Sequence, residues 1–253
     1  MARLLILLLV LAGCSAKPAG PPVGPVPQGP PPAPDRFVFS PRLVTGVGET
    51  EAGTAFAAKL DGADRPLIVT CLHIFGTTGG LPRDIPAGDL PRQVRKVGLS
   101  DRFTGAAIGE ATQVIPLPGA KPLGEPSDTG DIVALWAPAG AEVKAAPFAR
   151  GAMPPGSPVW MVGRLPTDRG ASAVRLHKAR VEGMRDGLLT YRFEGPAIEL
   201  RATSGAPVVD GDGAIVGIHV GGEKLGTQTM GAAVPVETFL PKLKEAAAKH
   251  PAK

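Results

Sequence analysis

Ser204, His73 and Asp131 have the side chains that nucleophilic chemistry requires. Ser204 sits in ATSGAPV, residues 202–208, a loop of small residues where a hydroxyl can project and backbone N–H groups can face a ligand. His73 lies near the end of the apolar stretch PLIVTCLHIFG, and Asp131 opens GDIVALWAP, ahead of an apolar run that would draw its carboxylate toward a core edge. A serine hydroxyl is a poor nucleophile until a base takes its proton, and a histidine base needs a partner to hold its tautomer. A serine, a histidine and a partly buried aspartate supply those parts. Taken singly, each residue has a plainer reading. Ser204 could join two strands, and His73 could be a strand-end histidine bonded to backbone groups.

The elements that would position these residues are short. Apolar runs between Gly, Pro and Asp predict strands over Thr54–Leu60, Leu67–Phe75, Ala111–Ile115, Ile132–Trp136, Pro158–Gly163, Ala173–Glu182, Leu188–Phe193, Pro207–Val209, Ala214–Val220 and Gly231–Val234. Many short strands with turn signals between them point to a sandwich or barrel and not to a βαβ fold. A single helix is predicted at the end, over about residues 238–249. Thr238 would be its cap, Pro241 would lie in its first turn, and Phe239, Leu240, Leu243, Ala246 and Ala247 would form its apolar stripe. No repeat appears at solenoid or propeller periods.

Length and composition permit one large all-β domain: 253 residues, 43% hydrophobic and 20% charged. The net charge of +4 is spread along the chain without a basic block or aromatic ladder, so no nucleic-acid role is assigned. At the N-terminus, MARLLILLLVLAGCSA carries one arginine and then an apolar run too short to span a bilayer, which suits a signal peptide over residues 1–13. Leu11-Ala12-Gly13-Cys14 resembles the lipobox of bacterial lipoproteins, in which Cys14 would be lipidated and become the first mature residue. Residues 14–35 would then be a lipidated, Pro-rich extended tether. These features imply export to a bacterial cell envelope, with the outer membrane favoured by Ser15. Lipidation would consume one of the two cysteines, so Cys71 would have no disulfide partner.

The order His, Asp, Ser is that of double β-barrel serine peptidases. Gly53-Thr54-Ala55-Phe56, Val69-Thr70-Cys71-Leu72-His73, Asp131-Ile132-Val133-Ala134-Leu135, Ser204-Gly205-Ala206-Pro207-Val208-Val209 and Gly217-Ile218-His219 together resemble the landmarks of trypsin-like (chymotrypsin-fold) serine proteases. The resemblance covers about residues 37–245. It implies an all-β fold of two six-stranded antiparallel β-barrels with a C-terminal helix, in a protease domain over residues 36–253. The first barrel would cover about 36–145 and the second about 146–237.

The resemblance also implies roles. His73, Asp131 and Ser204 would form a catalytic triad acting on a protein or peptide substrate. The backbone N–H groups of Ala202, Thr203 and Ser204 would form an oxyanion hole. Ile215-Val216-Gly217-Ile218-His219-Val220-Gly221-Gly222 is similar to the GIHWGG run of glutamyl endopeptidases, which would place His219, Val220 and Gly221 at the substrate. Glu199 stands where those enzymes carry a small hydroxyl residue; it would repel an acidic substrate side chain or pair with His219. Ala202 replaces the family's glycine, Thr203 replaces an aspartate that pairs with a freshly cut N-terminus, and Cys71 replaces an alanine. No metal or organic cofactor is implied. The resulting expectation is a membrane-tethered serine endopeptidase, set against an inactive pseudo-protease lipoprotein serving as a binding module.

Overall fold

The computed structural model describes residues 34–125, 130–167 and 175–253. The expected signal peptide, Cys14 and nearly all of the Pro-rich tether lie outside the described residues. No helix among the described residues is long and apolar enough to cross a membrane.

The first half of the chain builds one curled sheet. Its strands are β1 (Val38–Thr45), β2 (Glu49–Glu51), β3 (Ala55–Lys59), β4 (Leu67–Thr70), β5 (Val94–Asp101), β6 (Ala107–Ala111), β7 (Val114–Ile115), β8 (Val133–Trp136) and β9 (Ala146–Pro147), with a short helix α1 (Leu90–Gln93) ahead of β5. The order is β6-β5-β1-β3-β4-β8-β7, with β2 on β1 and β9 on β3. The end strands β6 and β7 are consecutive in the chain, joined through Thr112 and Gln113. The sheet therefore curls until its two edges lie beside one another, although no ladder closes them among the described residues. β4 and β8 are buried at every position because both of their faces are covered, and all but Thr70, whose hydroxyl donates to the Thr54 carbonyl at 2.7 Å, are apolar.

The second half is a closed six-stranded barrel, β10-β11-β12-β15-β14-β13. It is formed by β10 (Pro158–Val162), β11 (Leu176–Arg185), β12 (Leu188–Phe193), β13 (Pro207–Val209), β14 (Ile215–Leu225) and β15 (Gln228–Pro235). Closure pairs each strand with a neighbour on both sides, leaving edges only where a long strand overruns a short partner, as β14 does β13. The strand period of two explains how the halves join. Val159 and Met161 fill the barrel interior with Tyr191, Phe193, Val208 and Val216. Trp160 and Val162, on the other face of β10, join the core of the first sheet together with Val209, Ile215 and Ile218. The all-β architecture, the six-stranded second barrel and the terminal helix are thus as expected. The first half is a curled nine-stranded sheet and not a closed six-stranded barrel, because β2 and β9 add short strands and β6 and β7 do not pair among the described residues.

Helix α2 (Val236–Lys249) begins two residues earlier than predicted, because β15 ends at Pro235 and the chain turns directly into it. Thr238 is consequently no cap, and Pro241 falls inside the helix. The helix buries Val236, Phe239, Leu243, Ala246 and Ala247, with Phe239 edge-on to Phe148 at 5.8 Å. The Trp136 indole donates to the His250 carbonyl at 2.8 Å, fastening the end of the chain to β8.

Candidate active site

The predicted strand through His73 stops at Thr70, and His73 opens a 3₁₀ turn, His73–Phe75. This turn lifts the imidazole out of the ladder and toward Asp131, which lies just before β8 on the neighbouring strand. Asp131 holds His73 at two points. Its Oδ1 accepts the His73 backbone N–H at 2.9 Å, and its Oδ2 meets His73 Nδ1 at 2.5 Å. The side chains are 9% and 2% exposed, so little water competes for either bond. With Nδ1 committed to the carboxylate, Nε2 is the ring nitrogen left to exchange a proton with a reacting group.

The loop of Ser204 is held through backbone by both halves of the molecule. Thr54 N–H donates to the Ser204 carbonyl at 2.7 Å, and Gly205 N–H donates to the His219 carbonyl at 2.7 Å. Gly205 has φ +89°, and a Cβ there would lie 2.0 Å from the Thr54 carbonyl oxygen, so only glycine fits. A Cβ on Gly53 would likewise lie 2.8 Å from the Ser204 carbonyl oxygen. The Ser204 hydroxyl donates to the Val220 carbonyl at 3.5 Å, a long bond that is readily exchanged.

Ala202 has φ +59°, in the left-handed region, where an L-residue costs about 1–2 kcal/mol. Its carbonyl accepts from Thr54 Oγ1 at 2.9 Å and Arg102 Nη2 at 3.2 Å. The N–H groups of Ala202 and Ser204 have no acceptor among the described residues. Thr203 departs from expectation: its N–H, predicted to be a third oxyanion donor, is turned to the Leu200 carbonyl at 3.2 Å, and its hydroxyl bonds the same carbonyl at 2.6 Å.

His219 is fully buried, and its Nδ1 shares a 2.5 Å hydrogen bond with the Tyr191 hydroxyl. Its Nε2 has no partner among the described residues. Burial, aided by the neighbouring His73, lowers its pKa to about 3, so the ring is neutral. Glu199 does not reach it; its carboxylate pairs with Arg201 at 3.0 Å near the surface. Of the two expected roles of Glu199, pairing with His219 is not made, because the buried His219 ring is neutral and Arg201 offers a cation beside the carboxylate. Val220 and Gly221 continue β14 beyond the end of β13, which pairs only as far as Pro207 with Ile218.

Cys71 is a free, buried thiol whose Sγ donates to the His219 carbonyl at 3.3 Å. Ligand atoms of Cys71, His73 and Asp131 lie within 4.8 Å of one another. Burial and the nearby Asp131 raise the thiol pKa well above normal, so the group is a neutral thiol. Sequence reasoning missed Arg102, Thr54 as a side-chain donor, and Tyr191. Tyr191 carried a signal, being the chain's single tyrosine within an apolar strand; Arg102 carried none.

The model of the trypsin-like peptidase domain matches residues 53–218. The active form of the Rv3671c protease from M. tuberculosis is similar at TM-score 0.54 and 18% identity, over 94% of this chain and 96% of that one. A serine endoprotease from Yersinia pestis is similar at TM-score 0.55 and 14% identity, over 84% of this chain and 63% of that one. The HtrA-type protease AlgW, in a complex with a tripeptide, is similar at TM-score 0.54 and 14% identity, over 85% of this chain and 61% of that one. No curated protein matches the chain.

Proposed function

The chain belongs to the trypsin-like peptidase family, and on that premise we propose that it is a serine endopeptidase whose nucleophile is Ser204. His73 Nε2 takes the Ser204 proton as Oγ bonds to a peptide carbonyl carbon, and returns it to the leaving amine as the C–N bond breaks. Asp131 holds the Nδ1–H and stabilises the imidazolium. The N–H groups of Ala202 and Ser204 receive the oxyanion. Water, deprotonated by the same histidine, then bonds to the acyl carbon; the Oγ–C bond breaks, His73 returns the proton to Ser204 Oγ, and the carboxylic acid product leaves. Val220 and Gly221 supply the strand edge for the substrate backbone, with His219 beneath. Cys14 carries the lipid that tethers the domain in the cell envelope.

The two-point hold of Asp131 on His73 is the observation that supports this reading most. A histidine with only a structural role has no need for a carboxylate fixing both its backbone and its ring. The test is hydrolysis of an unfolded protein substrate by the full chain. Cleavage that disappears in Ser204→Ala supports the peptidase; equal cleavage by wild type and variant, or a folded wild type that cuts nothing, favours the binding-module alternative.

A further inference from the structure

We infer that Arg102 is a positioning residue for the oxyanion loop, reaching across from the first sheet to hold the Ala202–Thr203 peptide. The inference rests on the serine-peptidase reading. Arg102 follows β5 in a turn that is itself tied down. Asp101, buried, accepts N–H groups from Arg36, Phe103 and Thr104 at 2.8–2.9 Å, and Arg102 N–H donates to the Val38 carbonyl at 2.9 Å. From this base the guanidinium forks. Nη1 donates to Ser40 Oγ at 3.0 Å and approaches the Gly53 carbonyl at 3.5 Å. Nη2 donates to the Ala202 carbonyl at 3.2 Å and approaches the Arg164 carbonyl at 3.5 Å.

No carboxylate pairs with Arg102 among the described residues. A half-buried cation is costly unless it is compensated. Here Glu51 contributes favourable charge without a direct pair, Nε has no partner among the described residues, and the hydrogen bonds go to neutral oxygens of both halves of the molecule. Of these oxygens, the Ala202 carbonyl has direct consequences for chemistry. It belongs to the same peptide plane as Thr203 N–H, which donates to the Leu200 carbonyl at 3.2 Å. Arg102 and Thr54 therefore hold one end of that plane and Leu200 the other. Ala202, an alanine at φ +59°, does not favour this geometry by itself. Without the external bonds the peptide can rotate, and the Ala202 and Ser204 N–H groups on either side lose their common aim. A lysine could make one such bond but could not span both halves with a planar fork.

The test compares wild type, Arg102→Gln, Arg102→Lys, Thr54→Val and the double variant Arg102→Gln with Thr54→Val in the full chain, measuring fluorophosphonate labelling rate, kcat, KM, the pH profile and thermal stability. Complete loss of one oxyanion donor costs about 10²–10³-fold in kcat, so a loosened loop is expected to cost about 10–100-fold in Arg102→Gln. KM should stay within a small factor, and the pH profile should not move, because His73 and Asp131 are untouched. Arg102→Lys should recover part of the rate. Thr54→Val should lower kcat as well, and the double variant should lose less than the product of the single losses, since both groups hold one carbonyl. Wild-type kcat in a folded Arg102→Gln overturns the inference, as does a loss confined to KM or a shifted pH profile. If Arg102→Gln does not fold, Arg102→Lys and Thr54→Val decide on the same criteria. A folded wild type that neither labels nor cleaves removes the peptidase reading and the inference with it; labelling of wild type at an unchanged rate in the variants removes the inference alone.

Discussion

Replacing Ala202 with glycine should leave the protein at least as stable as it is, and should preserve or raise its turnover. Alanine at φ +59° costs about 1–2 kcal/mol, which glycine does not incur. Against that, glycine's greater freedom in the unfolded chain costs about 0.5–1 kcal/mol. Ala202 is exposed, so its methyl group contributes no core packing that would be lost. The balance runs from near zero to about 1.5 kcal/mol in favour of Ala202→Gly, or up to about 5 °C in melting temperature for a domain of this size. Ala202→Val should fall on the other side of wild type, since a β-branched residue tolerates that backbone worst. Thermal melts of the three proteins, with kcat measured beside them, check both statements. If glycine lowers the melting temperature by more than about 2 °C while valine leaves it unchanged, the left-handed geometry assigned to Ala202 is wrong.

Asp131→Asn should preserve folding but lower turnover by about 10⁴-fold, because an amide can donate where the carboxylate accepts and so favours the wrong tautomer of His73; single-turnover rates and melts separate the two effects. His219, with a folded pKa of about 3 against an ordinary 6.5, rejects a proton that the unfolded chain binds. Stability should therefore be complete above pH 6.5 and fall on acidification toward pH 3, by up to about 1.4 kcal/mol per pH unit from this group, and urea midpoints for His219→Gln should show a shallower slope. Cys71 should resist maleimide in the native protein and react at once in denaturant, since the thiol is buried and protonated; fast native modification counts against that burial. Cys14→Ser should move the protein from the membrane fraction to the soluble one, and unchanged retention would remove the lipid anchor.

The residues proposed for chemistry were legible where they bordered apolar runs. β4 and β8 are buried on both faces and read as hydrophobic segments, interrupted only by Thr70, which marked His73 and Asp131 at their ends. The small residues around Ser204 reflect close backbone approach, seen in the 2.0 Å that a Cβ on Gly205 would leave to Thr54. β1 was hidden by Pro41 and Arg42, and β5 by its Arg95 and Lys96, although alternate positions in both face the core. The 3₁₀ turn at His73 was read as strand, since an apolar run does not reveal where a ladder stops. Arg102 was out of reach for a different reason. Its role depends on a carbonyl 100 residues away in the other half, and no local pattern encodes that distance.

Mass-spectrometric location of a fluorophosphonate adduct on the folded full chain tests the proposed nucleophile most directly. A single adduct on the peptide carrying Ser204, absent in His73→Ala, is the predicted result. Folded protein that takes no adduct, or takes it at another residue, contradicts the assignment of Ser204 as the nucleophile.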